Sequence, residues 1–249
     1  MHHKGNIRLE IKDEIGRVIL DHPPQNYLPG PEFMPLEDLR SWINQNDLKG
    51  VILSGTGRHF SAGARLDNLF SMETGEAMAN EMQKGKDLLN FIACLNIPVI
   101  AAIQGACFGG GLEIALAAHI RIANSKALFA FPEVNHNLMP GLGGTVRITG
   151  MIPSIESLMM ILGGDMINAE EALSLRIIDQ ITNEPEEYAF KLLNKMTENR
   201  PLKVIHFVME AIHNAGRLSE TEALKEETRM FCELAREEGI RRKEEVTDR

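Results

Sequence analysis

Cysteine is scarce in this chain of 249 residues: Cys94, Cys107 and Cys232 are its only three. They are odd in number, lie far apart and form no Cys-x-x-Cys pair, so a disulfide framework is excluded and reduced thiols in a cytoplasmic protein are expected. Long apolar runs are missing too. The most apolar region, Ile97 to Ala118, is interrupted by Gln104, by glycines and by Glu113, so no membrane span is expected. The first residues are mixed in charge and carry no apolar signal core. Positive charge is in deficit, with a formal net charge of −9. That argues against general affinity for nucleic acid or an acidic membrane. The basic run Arg241-Arg-Lys243 is followed at once by Glu244 and Glu245, which suits a solvated helix end. Histidines do not cluster as metal ligands. No His-x-x-x-His pair is joined by a third ligand, so no metal is expected.

What is present is an ordinary globular composition, 44% hydrophobic, in a chain long enough to bury a large core. Short apolar runs of strand length alternate with helical patterns from Ile7 to Ile181, which argues for an α/β core. Strands are expected near Ile7–Ile11, Arg17–Asp21, Val51–Ser54, Pro98–Ile103, Ile120–Ala123, Leu128–Phe131 and Ile177–Ile181. Helices are expected near Pro35–Asn44, Glu73–Ala93, Met151–Gly163 and Ala169–Leu175. After Glu184 the pattern is purely helical. This divides the chain into an α/β core over 1–183 and a helical region over 184–249, whose apolar faces need partners.

The segment Gly109-Gly110-Gly111-Leu112-Glu113 carries the most chemical information. An apolar strand, Pro98-Val-Ile-Ala-Ala-Ile103, precedes it, and good helix formers follow, so the glycines sit at a strand-to-helix turn. Glycines there bare the backbone amides, and the first helical turn offers unpaired N–H donors at the positive end of its dipole. An enolate or tetrahedral oxyanion suits such a place. The alternative is that the glycines only let strand and helix pack closely. A dinucleotide fingerprint does not fit: starting at Gly105 puts Cys107 at its second glycine, and starting at Gly109 puts Ile114 at its third.

A second glycine-containing turn, Phe60-Ser-Ala-Gly-Ala64, follows the strand at Val51. A thioester carbonyl is best polarised by donors arriving from two directions, so the two turns make a pair if they converge. Glu113 and Glu133 supply two carboxylates for proton transfer. Close together in a dry site, they would retain one proton and titrate as a coupled unit. Read singly, Glu113 is an acid favoured in a first helical turn, and Glu133 an exposed carboxylate at a strand end.

Four segments in this order resemble the enoyl-CoA hydratase/isomerase (crotonase) superfamily: Phe60-Ser-Ala-Gly-Ala64; Pro98 through Glu113; Phe131-Pro-Glu133 with Pro140-Gly-Leu-Gly-Gly-Thr145; and Gly163-Gly-Asp-Met-Ile-Asn-Ala-Glu-Glu-Ala172. The resemblance runs from about Ile7 to Ile181. It implies a ClpP/crotonase-like ββα superhelix core with a C-terminal helical extension. It also implies oxyanion-hole amides at Ala64 and Gly110, catalytic glutamates at Glu113 and Glu133, and a coenzyme A site along Ala62, Ala64, Arg65 and Leu66. The implied reaction is hydration of a 2-enoyl-CoA thioester, or the reverse dehydration. Coenzyme A, or an acyl carrier protein, is then the acyl carrier, and no redox or metal cofactor is needed. Isomerisation or decarboxylation on the same scaffold, and a non-catalytic acyl-thioester or carrier-binding oligomer, are the alternatives. The family reading adds assembly as a trimer or a dimer of trimers.

By their nearness in sequence to these groups, Phe70, Phe108, Met139 and Gly141 are candidate substrate contacts. Several of the 13 methionines, among them Met78 and Met82, could line an adaptable acyl pocket, although core filling is their commoner role. Arg65-Leu66-Asp67 departs from the family, where an acid usually follows Ala64, and His22-Pro-Pro-Gln-Asn-Tyr-Leu28 replaces a segment that often carries a lysine near the nucleotide. His119 and Arg176 stand where an aspartate and a glycine are common. His119, at the end of the glycine-led helix, is expected to cap its negative pole.

Overall fold

Strands β4 (Gly50–Gly55) and β5 (Val99–Ile103) are buried at every residue, as expected of central parallel strands covered on both faces. They lie at the heart of a computed structural model that describes residues 2–4, 6–65, 70 and 74–247. Three strands precede them in the chain: β1 (His2–Lys4), β2 (Ile7–Lys12) and β3 (Ile15–Leu20). With β7 (Ile120–Ala123) and β10 (Gln180–Ile181) they form a seven-stranded sheet in the order β1-β2-β3-β4-β5-β7-β10. The pairings among β1, β2 and β3 are antiparallel, and those from β3 onward are parallel. A smaller sheet sets β6 (Ala106–Phe108) parallel to β8 (Leu128–Ala130), which pairs antiparallel with β9 (Ile167–Asn168).

Among the described residues, this first unit carries the helices α1 (Leu36–Gln45), α2 (Gly75–Ala93), α3 (Gly110–Ala117), α4 (Gly144–Thr149), α5 (Ser154–Gly163), α6 (Ala169–Ser174) and α7 (Pro185–Thr197). The chain divides into two compact units, Met1–Glu198 and Asn199–Arg249. The expected division after residue 183 is therefore displaced by one helix. Ala189 and Leu193 of α7 are buried in one cluster with Ile15, Ile52, Ile100 and Ile122, so their apolar face is spent on the sheet. The second unit is α8 (Leu202–Ala215) and α9 (Glu220–Thr247). Lys203 pairs with Glu233 and Glu237 between them, and Ser219 and Glu222 exchange hydrogen bonds at the start of α9, the capping-box arrangement.

Two expected elements differ in extent. The strand expected over Ile177–Ile181 shrinks to Gln180–Ile181, because the amides of Ile177 and Ile178 both turn back to the carbonyl of Ala172 and close α6. Arg176 takes the left-handed conformation there (φ 60°), the helix-end position that glycine ordinarily fills. The helix expected from Met151 begins at Ser154, after Pro153, and the preceding turn forms a separate helix, α4.

Candidate active site

Convergence of the two glycine-containing turns is set by backbone pairing. Ser61 forms a parallel bridge with Cys107 of β6: its N–H donates to the Ala106 carbonyl at 3.0 Å, and the Phe108 N–H donates to its carbonyl at 2.9 Å. Three residues beyond each bridge partner stand Ala64 and Gly110, so the two chains deliver their next amides to one place. A side chain built on Gly110 would bring its Cβ 4.0 Å from the Ala64 nitrogen, and one on Gly63 would stand 3.5 Å from the Gly110 nitrogen. Gly110 opens α3, where N–H groups have no intrahelical partner. The bridge between Leu28 and Ala64 uses the Gly63 carbonyl, which accepts the Leu28 N–H at 3.0 Å, and leaves the Ala64 N–H unused by that bond.

A buried hydroxyl and a buried amide hold the first turn. The Ser61 hydroxyl, with no exposed surface, donates to the Asn26 carbonyl at 2.7 Å and accepts the Gly63 N–H at 3.1 Å. Asn26 in turn donates to the carbonyls of Thr56 and His59. The donor loop is thus fixed from behind by bonds that exclude water, which preorganises it.

Glu113, in the first turn of α3, is 2% exposed. Its Oε1 accepts N–H bonds from Leu142 and Gly144, each at 2.7 Å. Burial pushes its carboxyl above the ordinary range, while those backbone donors and nearby Arg147 pull the other way by favouring the ionised form. Glu133 does not end a strand in open solvent. It sits in a 3-10 turn, Pro132–His136, half-buried, with Oε2 buried and without a hydrogen-bond partner. Burial raises it to about 7, and the charge of Glu113 pushes the same way. Its Oε1 would lie 2.8 Å from a Cβ on Gly109, so this carboxylate flanks the turn that presents Gly110. At φ 51° Gly109 occupies the left-handed region, which glycine adopts without strain.

Both carboxylates and both amides open on one cavity of about 920 Å³. Ala62, Ala64, Arg65, Met139 and Gly141 line it. Phe70 and Phe108 do not: Phe70 is 59% exposed, and Phe108, on β6, is not among the lining residues. Nearness in sequence does not by itself place a side chain on the cavity wall. Leu66 lies outside the described residues. Met78 and Met82 of α2 join the wall, so these methionines serve the cavity. Sequence reasoning missed Tyr27 to Pro31, Glu81 and Leu138 as lining residues. It also missed Leu142 and Gly144 as the holders of Glu113; the signal was the glycine-rich run after Pro140. His119, just past the end of α3, accepts the Val99 N–H at Nδ1 (2.9 Å) and so ties that end to β5. Among the described residues, no group of three or more His, Cys, Asp or Glu is placed to hold a metal ion, and no helix is long and apolar enough to cross a membrane.

Residues 10–247 match the enoyl-CoA hydratase/isomerase family. The chain belongs to that family. A Bacillus subtilis (strain 168) protein named probable enoyl-CoA hydratase is 31% identical over 242 residues, covering 94% of this chain and 92% of that protein. The crystal structure of an enoyl-CoA hydratase from Bacillus anthracis superposes with a TM-score of 0.82 at 27% identity, covering 97% of this chain and 96% of that one. Pseudomonas aeruginosa DspI gives a TM-score of 0.84 at 28% identity over 94% of this chain and 97% of its own. The architecture of this hydratase/isomerase family member is therefore the crotonase fold, α/β with C-terminal helices.

Proposed function

We propose that the protein hydrates a 2-enoyl-CoA thioester to the 3-hydroxyacyl-CoA, and catalyses the reverse dehydration. The observation that carries this reading is the pair Glu113 and Glu133 facing the same cavity as the Ala64 and Gly110 amides. In the forward direction water adds its oxygen to C3 while Glu113 takes the water proton. Charge collects on the thioester oxygen, where the N–H groups of Ala64 and Gly110 hold the enolate. Glu133 delivers its proton to C2, and a proton passing from Glu113 to Glu133 restores the starting state.

Hydrogen bonding supports that division of roles. Burial raises both carboxyls, but at Glu113 two 2.7 Å N–H bonds oppose it by favouring the ionised form, whereas Glu133 keeps an oxygen without a partner. Its place beside Gly109 sets it next to the carbonyl end of the substrate, where C2 lies. Arg65, on the cavity wall with Ala62, supplies positive charge for the phosphates of coenzyme A. The acyl chain runs along Met78, Met82 and Met139. Assembly as a trimer or a dimer of trimers, with the helical C-terminal region contributing contacts, belongs to the same proposal. Ile155, Leu158, Met159 and Leu162 of α5 are each more than half exposed and gain from burial against another subunit.

Glu113→Gln and Glu133→Gln, made separately, test the assignment by loss of ultraviolet absorbance of an enoyl thioester. Each is expected to cost about 100-fold or more, the usual value of a positioned acid or base. Near-wild-type hydration by either variant removes that residue from the mechanism. A panel of 2-enoyl, 3-enoyl and malonyl-type thioesters, on free coenzyme A and on carrier protein, separates hydration from isomerisation and decarboxylation.

A further inference from the structure

Arg147 lies behind the loop that holds Glu113. It stands on α4, and its guanidinium turns back: Nη1 donates to the Leu142 carbonyl at 2.9 Å and Nη2 to Asn90 Oδ1 at 2.8 Å. Its own N–H donates to the Gly143 carbonyl at 2.9 Å. The Leu142 carbonyl belongs to the peptide that lies between the two peptides whose N–H groups reach Glu113 Oε1. Gripping the middle peptide sets the tilt of both neighbours. Gly143 is left-handed (φ 97°), and a Cβ on it would stand 2.5 Å from Nη1, so the loop is shaped around the guanidinium. Asn90 sits near the end of α2, the helix that also carries Met78, Glu81 and Met82 to the cavity.

From this relay we infer that Arg147 is a positioning residue: through the 141–144 loop it aims the two N–H donors at Glu113 and so favours the ionised form of that carboxyl for proton abstraction. The inference rests on reading Glu113 as the base. It uses a charge-assisted grip, stronger than a neutral one, on a loop that has little else to fix three glycines. Removing the cation leaves burial less opposed, so the Glu113 proton is held more tightly. The other groups bearing on this pair are Glu133 from the 3-10 turn, Cys94 at the end of α2 beside Arg147, and Glu81, Arg65 and His136 on the cavity wall.

The test compares Arg147→Gln, Arg147→Lys and Asn90→Ala in the full chain. Two readouts are used: carbon-13 titration of Glu113 in enzyme labelled at glutamate carboxyls, assigned by its loss in Glu113→Gln, and kcat/KM against pH. Arg147→Gln is expected to move the Glu113 titration up by about one pH unit, with about a tenfold loss of kcat/KM on the acid side that narrows as pH rises. Arg147→Lys, which keeps the charge but not the two-pronged grip, and Asn90→Ala, which frees one prong, should move both in the same direction by less. A pH-independent loss with an unmoved Glu113 titration in Arg147→Gln, or an unmoved titration in all three variants, overturns the inference. The carboxyl titration needs no turnover. If it moves while the wild-type enzyme fails to hydrate any enoyl thioester, the positioning stands and the hydratase reading falls.

Discussion

Replacing Glu133 by Gln should shift stability in the variant's favour, relative to wild type, as pH rises from 4.5 to 8. The folded state raises this carboxyl from the ordinary 4.5 to about 7, so the native protein holds the proton more tightly than the unfolded chain. Below pH 4.5 both states are protonated and folding carries no penalty. Between 4.5 and 7 the unfolded chain ionises first, and stability falls as pH rises. Above 7 the full cost is present. The interval corresponds to about 3 kcal/mol at about 1.4 kcal/mol per tenfold change in proton affinity. Water reaching the half-buried carboxyl reduces it to about 1–2 kcal/mol. Glutamine cannot ionise, so the variant lacks this cost, although its amide adds a pH-independent penalty where Oε2 has no partner. The informative quantity is therefore the change with pH in the stability difference between variant and wild type. Urea unfolding at pH 4.5, 6, 7 and 8, at one protein concentration, measures it. A variant that gains about 1–2 kcal/mol relative to wild type between pH 4.5 and 8 supports the reasoning; a difference that stays constant across that range refutes it.

Two further substitutions probe the backbone around the site. Gly109→Ala places a Cβ 2.8 Å from Glu133 Oε1 at a φ of 51°, so it should displace the carboxyl and cost about 100-fold in kcat while leaving the unfolding midpoint within a few degrees; steady-state kinetics beside a thermal melt checks both. Arg176→Gly relieves a left-handed residue at the end of α6, far in sequence from Glu113 and Glu133, and should raise stability by about 1 kcal/mol with unchanged kcat, as urea unfolding and steady-state kinetics would show.

Most of the fold was legible because its strands carry their signal locally. Val51-Ile-Leu53 and Val99-Ile-Ala-Ala-Ile103 are apolar at consecutive residues, which suits a short strand buried on both faces. The short strand β6 and the paired segment at Ser61 were not legible, since three residues ending in glycines carry no period, and their partner is chosen by tertiary contact. That pairing is what brings the two turns together, so the family resemblance pointed to Ala64 and Gly110 without showing that they converge. Glu113 drew notice through its pairing with Glu133 and the resemblance, since a first helical turn alone favours any acid. Its holders Leu142 and Gly144 were not legible, because a backbone N–H has no residue identity to read. Phe70 and Phe108 show the limit of adjacency as a guide, whereas Met78 and Met82 reach the cavity from α2 at helical spacing.

The convergence of two amides on one carbonyl is best examined by infrared difference spectroscopy of a 2-enoyl-CoA labelled with carbon-13 at the thioester carbonyl, bound to the slow Glu133→Gln variant. Two N–H donors aimed at the oxygen should lower the carbonyl stretching frequency well below its value in water, and more than a single donor achieves. A bound thioester whose carbonyl absorbs at its aqueous frequency would contradict the placement of Ala64 and Gly110 on that oxygen.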